Sequence, residues 1–358
     1  MSKFAAGDTV KLSGMISGYM ISQIISVAVE LGVADLLAHG AMSEDAMAEA
    51  TGTHERSLLR LLRALTACGL VEECEPGRFR LTALGTLLRS DVPGSLRNFA
   101  LLLGSDVTWR AWGDVLHAVR TGETAFEHIF GMGPFQFSAL DLERAARFDA
   151  YMADLTQQSV APILQAHDFT RYRRIVDVGG GNGALLSGIL AAAAQAEGTV
   201  LDTAAGIAGS RRRLEEAGVA GRCRIVAGDF FASVPEAADA YILKSVLHDW
   251  DDDRAVAILR NCCRAMRPNA VLLIVERLLP EHIACSDAHR EIVMMDTHML
   301  VMTGGHERTA SEYAELLAAA GLKSIATRPT KSPFAVIEAV RTDAIAGLTE
   351  REIRGGML

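Results

Sequence analysis

The sequence predicts an α/β protein in which a doubly wound, seven-stranded sheet follows a mostly helical N-terminal domain. Three observations support this. From Arg174 onward, short apolar runs alternate with helical stretches. Residues 175–184, Ile-Val-Asp-Val-Gly-Gly-Gly-Asn-Gly-Ala, end an apolar strand in an acid, turn on glycine and open an alanine-rich helix expected over 184–196. The chain, at 358 residues, is too long for one small core and divides naturally into two domains.

The bulk properties exclude several classes. A net charge of −9 speaks against general affinity for nucleic acid or for an anionic membrane surface. Cys68, Cys74, Cys223, Cys262, Cys263 and Cys285 form no C-x-x-C pair and no zinc-type spacing, so reduced thiols, most of them buried, are expected. No basic region with an apolar core opens the chain, and no apolar run has the length of a membrane span. A soluble, cytoplasmic protein is expected.

Taken in order, the first hundred residues read as helical. Ile16, Tyr19, Met20, Ile24, Val27 and Leu31 recur at helical spacing, while Ile21, Ile25, Ala28 and Val29 make a second face apolar. Such a helix needs a cover, either the body of its own chain or a second copy, and a second copy is the favoured one. Ser43-Glu44-Asp45-Ala46 is an N-cap with acids in the first turn. Gly52 separates that helix from another over 56–68, which Gly69 closes. Runs at 70–72 and 78–81, joined by Glu75-Pro76-Gly77, complete a winged-helix pattern. Such a module either binds DNA, here through Arg56, Arg60 and Arg63, or serves packing alone. The leucines among those arginines, and Glu72, Glu73 and Glu75 after them, favour packing.

Residues 92–165 are expected to be mostly helical, broken at Gly122 and at Gly131-Met132-Gly133-Pro134. Strands are expected at 175–178, 199–201, 224–226, 240–243, 271–276, 323–327 and 335–340. Between the last two lie only Arg328 to Phe334, too few for a helical crossover, so they should pair antiparallel. The tail after Arg341 is polar and receives no element.

The glycine turn alone leaves the ligand open. Gly179, Gly181 and Ala184 fit the loose dinucleotide fingerprint, so a nicotinamide dehydrogenase stays in view. Asp177, just before the turn, suits a ligand carrying an ammonium and a sulfonium better than a pyrophosphate. S-adenosylmethionine carries both. Asp202, ending the next strand, can accept ribose hydroxyls under either reading. Strand ends in an open α/β sheet face the ligand crevice, so His248 and Glu276 should converge there with both acids. A histidine flanked by carboxylates is held in one tautomer with a raised pKa, a base suited to a phenol that titrates near ~10. Met294 and Met295 read as a buried helix face, and Met299 and Met302 as soft walls for a flat aromatic.

The motifs Val-Asp-Val-Gly-Gly-Gly-Asn-Gly (176–183), Gly-Asp-Phe-Phe (228–231), His-Asp-Trp (248–250) and Gly-Gly-x-Glu-Arg-Thr (304–309) occur in a specific order. With them, nearly the whole chain resembles the S-adenosylmethionine-dependent small-molecule O-methyltransferases of plants and bacteria, which act on phenolic and polyketide hydroxyls. The resemblance implies a Rossmann-like methyltransferase sheet behind a winged-helix-like dimerisation domain. Expected boundaries are 1–104 for dimerisation, 105–165 for a connector contributing to the substrate pocket, 166–341 for catalysis and 342–358 for the tail. By the same resemblance Asp177, Gly179 and Gly181 line the cofactor, Asp202 binds its ribose, Asp229 and Phe230 hold adenine, and Lys244 lies at its edge. His248 is then the general base, with Glu276 and Glu307 orienting its ring from either side. Trp112, Phe148, Met152, Asp249, Met299 and Met302 line the slot for a small aromatic or polyketide substrate. No metal is implied, and the N-terminal helices make a homodimer. One point departs from the pattern: Thr203-Ala204-Ala205 replaces the usual Leu-Pro after the ribose acid. His306, at the variable position of its motif, is expected to be solvated behind the site. N- or C-methylation, a non-methylating hydroxylation or decarboxylation on the same fold, and a winged-helix DNA-binding regulator remain alternatives.

Overall fold

The computed structural model describes residues 6–345, so most of the 342–358 tail lies outside the described residues. The chain packs as two units. One holds the chain up to Arg110 together with Ala146–Asp154, and the other holds Ala111–Ala145 with the chain from Leu155 onward.

In the first unit, helices Ala6–Ile16 and Gly18–Glu30 precede the winged-helix pattern. The Ser43 hydroxyl accepts the Ala46 N–H at 3.4 Å and starts helix Glu44–Thr51, which Gly52 ends at φ 63°. Helix Glu55–Ala67 buries Leu58, Leu62 and Leu65 against Met47 and Phe79, and leaves Arg56, Arg60 and Arg63 exposed. Strands Val71–Glu75 and Arg78–Leu81 form the wing, and Met42–Ser43 adds a third, short strand. Leucine spacing thus decides which face is core. On the N-terminal helices Val10, Leu12, Met15, Ile16, Tyr19 and Met20 are each at least 50% exposed.

The second unit contains the sheet. Its strands are β1 (Arg174–Val178), β2 (Glu197–Asp202), β3 (Cys223–Ala227), β4 (Ala240–Lys244), β5 (Val271–Glu276), β6 (Leu322–Pro329) and β7 (Ala335–Arg341). They lie in the order β3-β2-β1-β4-β5-β7-β6. The first five are parallel; β7 runs antiparallel to both β5 and β6, as the short connection requires. Alternate residues feed two cores: Val176, Val178, Leu243 and Ile274 on one face, Ile175, Ile242, Leu273 and Val275 on the other. Both faces are covered, which is why these strands read as unbroken apolar runs.

Three expectations need correction. The helix after the glycine turn ends at Ala192 instead of Ala196. Its alanines favour helix, but the chain must turn back to enter β2 at Glu197, and the Arg222 guanidinium binds the released carbonyls of Leu190, Ala193 and Ala196 at 2.7, 3.2 and 2.7 Å. Only Cys262 of the six cysteines is buried; Cys74 and Cys285 are exposed, Cys74 because its wing strand has a solvated face. Met294 is 52% exposed, because the helix Asp287–Met302 packs through Met299 and Val301.

Candidate active site

The strand ends collect acids around glycine. Asp177 is buried at the end of β1, and its Oδ2 has no hydrogen-bond partner among the described residues. Burial pushes its carboxyl up to about 7 against the pull of the Lys244 ammonium, and the Asp202 charge adds to the rise. Lys244, ending β4, is itself pulled down to about 8 by burial, against the pull of the Glu276 and Asp177 carboxylates. Gly179 turns at φ 72°, and a Cβ there would fall 2.6 Å from Val246 Cγ2 and 3.7 Å from the Phe230 ring. A side chain cannot occupy that cradle. Asp202 accepts the Gly181 N–H at 2.9 Å and the Thr203 N–H at 2.6 Å, which ties β2 to the glycine turn. Beyond β3, Asp229 accepts the Phe231 N–H at 2.8 Å, and the Asn261 amide donates to the carbonyls of Phe230 and Phe231, each at 2.7 Å. In the Thr203-Ala204-Ala205 departure, the Gly206 N–H bonds Thr203 Oγ1 at 3.1 Å.

A second cluster surrounds His248, in the loop after β4. Its Nδ1 lies 3.1 Å from Glu307 Oε1 and 3.8 Å from Glu276 Oε2. Both glutamates therefore face the same ring nitrogen, not opposite sides of the ring as expected. It is Asp249 that stands near the other nitrogen, its Oδ1 3.8 Å from Nε2. The contrast follows from Glu276, whose Oε1 is fixed by the N–H groups of Val246 and Leu247, at 2.9 Å each. Burial alone would lower the imidazole pKa, but the Glu276 and Asp249 charges and the Glu307 hydrogen bond raise it to about 10. Burial pushes Asp249 and Glu276 up to about 6, the His248 charge holding each back.

Arg308, which the sequence reading left without a role, ties this loop together. Fully buried, it donates to the carbonyls of Leu247 (3.0 Å) and Trp250 (2.8 Å) and to Asp252 Oδ1 (2.7 and 3.0 Å). Glu307 is set by its N–H, bonded to Asp296 Oδ1 at 2.9 Å. Gly305 lies so close under the loop that a Cβ would fall 2.0 Å from the His248 carbonyl oxygen. His306 is 40% exposed, as expected.

Of the expected slot residues, Trp112, Met299 and Met302 lie in the second unit. The Trp112 indole N–H donates to His298 Nδ1 at 3.0 Å, and Met299 is buried. Phe148 and Met152 sit on the segment that packs with the first unit, Phe148 exposed and Met152 half-buried. His298 was not foreseen. Ligand atoms of His248, Glu276 and Glu307 lie within 4.8 Å of one another, as do those of Asp114, His117 and His128, a spacing that also suits a cation.

Comparison with known proteins decides the family. Residues 112–323 match the O-methyltransferase domain, and residues 13–91 match the O-methyltransferase dimerisation domain. The chain is 42% identical over 325 residues to the phenazine O-methyltransferase of Lysobacter antibioticus, spanning 91% of this chain and 94% of that protein. The chain belongs to the O-methyltransferase family. Among solved structures, this O-methyltransferase superposes on a mitomycin 7-O-methyltransferase with a TM-score of 0.88, at 35% identity over 94% of this chain and 98% of that one. It also matches an O-methyltransferase from neocarzinostatin biosynthesis, solved with S-adenosylmethionine and 2-hydroxy-5-methyl naphthoic acid, with a TM-score of 0.79, at 34% identity over 90% of this chain and 96% of that one.

S-adenosylmethionine is the methyl donor of this O-methyltransferase. The strand ends fit it: the unpartnered Asp177 oxygen suits a cationic ligand, and the cradle at Gly179 admits no side chain.

Proposed function

We propose that this O-methyltransferase methylates a phenolic or polyketide-type hydroxyl of a small aromatic molecule, with His248 as general base. The carrying observation is the ring's anchorage: Nδ1 is engaged by Glu307 at 3.1 Å while the nearest acid to Nε2 stands at 3.8 Å. Nε2 is left to take the hydroxyl proton.

Asp177, Gly179, Gly181, Asp202, Asp229, Phe230 and Lys244 would hold the donor. When bound, S-adenosylmethionine supplies a methyl group on a cationic sulfur, already activated toward an oxygen nucleophile. The protein's remaining task is alignment and proton removal. His248 in its neutral form accepts the proton on Nε2 as the oxygen attacks. The carboxylates of Glu276 and Glu307 stabilise the imidazolium so formed. Proton and substrate are matched, since phenols titrate near ~10 and the cluster raises the imidazole to about 10. Trp112, Met299 and Met302 would flank the aromatic ring, with Asp249 beside the base.

Mass spectrometry of products from a phenol panel, with an isotopically labelled methyl donor, tests this. His248→Ala should lower the rate by roughly 10²- to 10⁴-fold. Methyl transfer at nitrogen or carbon, or a variant as fast as the parent, would reject the reading. The apolar face on Ala6–Ile16 and Gly18–Glu30, which runs into the dimerisation domain matched over residues 13–91, supports assembly of two copies. Light scattering should then return twice the mass of one chain.

A further inference from the structure

His298 stands on the helix Asp287–Met302, four residues before Met302 and therefore on the same helix face. Two residues earlier, Asp296 binds the Glu307 backbone, so this part of the helix is fastened to the segment that supplies His248 with a carboxylate. An indole N–H only donates, so the Trp112 contact at 3.0 Å makes His298 Nδ1 the acceptor. The two ring planes are nearly parallel, 21° apart, with centroids 6.1 Å from each other. Burial, reinforced by the nearby His248 charge, lowers the His298 imidazole to about 4, so it carries a single proton at neutral pH. That proton must sit on Nε2. Among the described residues no hydrogen bond involves Nε2, and the half-buried ring leaves that atom open to a ligand.

We infer that His298 is the donor that selects the acceptor molecule: its Nε2–H, fixed in that tautomer by Trp112, meets a lone pair on the aromatic substrate, a ring nitrogen or a carbonyl oxygen. This rests on the proposed aromatic O-methylation and narrows it to ring systems bearing such a lone pair. A protonated, freely rotating histidine would tolerate anions and hydroxyls alike; a neutral one locked by an indole discriminates. A phenol whose only lone pairs are those of the reacting hydroxyl would leave this donor without a partner on the ligand.

Calorimetry with S-adenosylhomocysteine present can compare 1-hydroxyphenazine with 1-hydroxyanthracene, which have the same outline but differ in ring nitrogens. The parent should bind the phenazine at least ~10-fold more tightly. His298→Leu should bring the two affinities together, to within about two-fold. His298→Gln, whose amide can still accept from Trp112 and donate, should keep the preference, and Trp112→Phe should weaken it. A parent without preference, or a His298→Leu variant that keeps the full ratio while binding both more weakly, would overturn the assignment. Turnover is not needed for this comparison. Absence of a methyl ether from the parent enzyme rejects O-methylation instead, whatever the binding ratio.

Discussion

Glu307 acts on His248 at 3.1 Å and through charge as well as position, and the two effects can be separated. Its carboxylate raises the imidazole pKa, so the resting cluster holds a proton that must leave before the ring can act as a base. The rate should therefore climb with pH along an acid limb set by His248. Glu307→Gln removes the negative charge, lowers the imidazole pKa and should move that limb toward lower pH by roughly one pH unit. The plateau rate should fall as well, since the amide orients the ring less strongly. A pH profile of kcat/KM checks this; an unmoved limb would mean that Glu307 does not set the base. At this scale His248, Glu276 and Glu307 were legible because each stands at a strand end or in a motif of the family. The shared nitrogen was not, since it depends on Glu276 being turned by two backbone N–H groups from Val246 and Leu247. His298 was hidden because nothing in the spacing reveals a tautomer fixed by a tryptophan 186 residues away.

The element that matters most is the loop from Leu247 to Asp252. It is short, it leaves β4 through Ser245 in a left-handed conformation at φ 53°, and it has few bonds of its own. Arg308 and Gly305 give it shape from outside, one by four hydrogen bonds and the other by yielding space. Gly305→Ala would press a methyl group into the His248 carbonyl. We expect a loss of about 1–3 kcal/mol in stability and, from the displaced base, a rate lower by as much as ~10²-fold. Thermal melts and steady-state kinetics report the two losses. Wild-type melting and rate in this variant would refute the close approach. The strands were readable, as continuous apolar runs bounded by glycine and charge. The early end of the helix at Ala192 was not, because three carbonyls are satisfied by an arginine that arrives thirty residues later in the chain, at position 222.

At the scale of the whole molecule, the two units carry different tasks. The first presents eight exposed large apolar side chains on its two leading helices, and the sequence pattern alone does not say what covers them. Assembly of two copies gives a concentration-dependent stability, so the melting temperature of the O-methyltransferase should rise with protein concentration where the dimer dissociates on unfolding. A constant melting temperature, with the mass of a single chain, would assign that face elsewhere.

The sheet order has a further consequence. The final strand, β7, is inserted between β5 and β6, and Ala335 pairs in register with Glu276. The acid beside the base thus gains its neighbour only once the chain has run on through Ala335. A nascent or truncated chain that stops short of Ala335 can already own the glycine turn and the imidazole, yet it lacks the lateral support that sets them to work together. The site thus leans on a strand that comes later in the chain than any of its own residues.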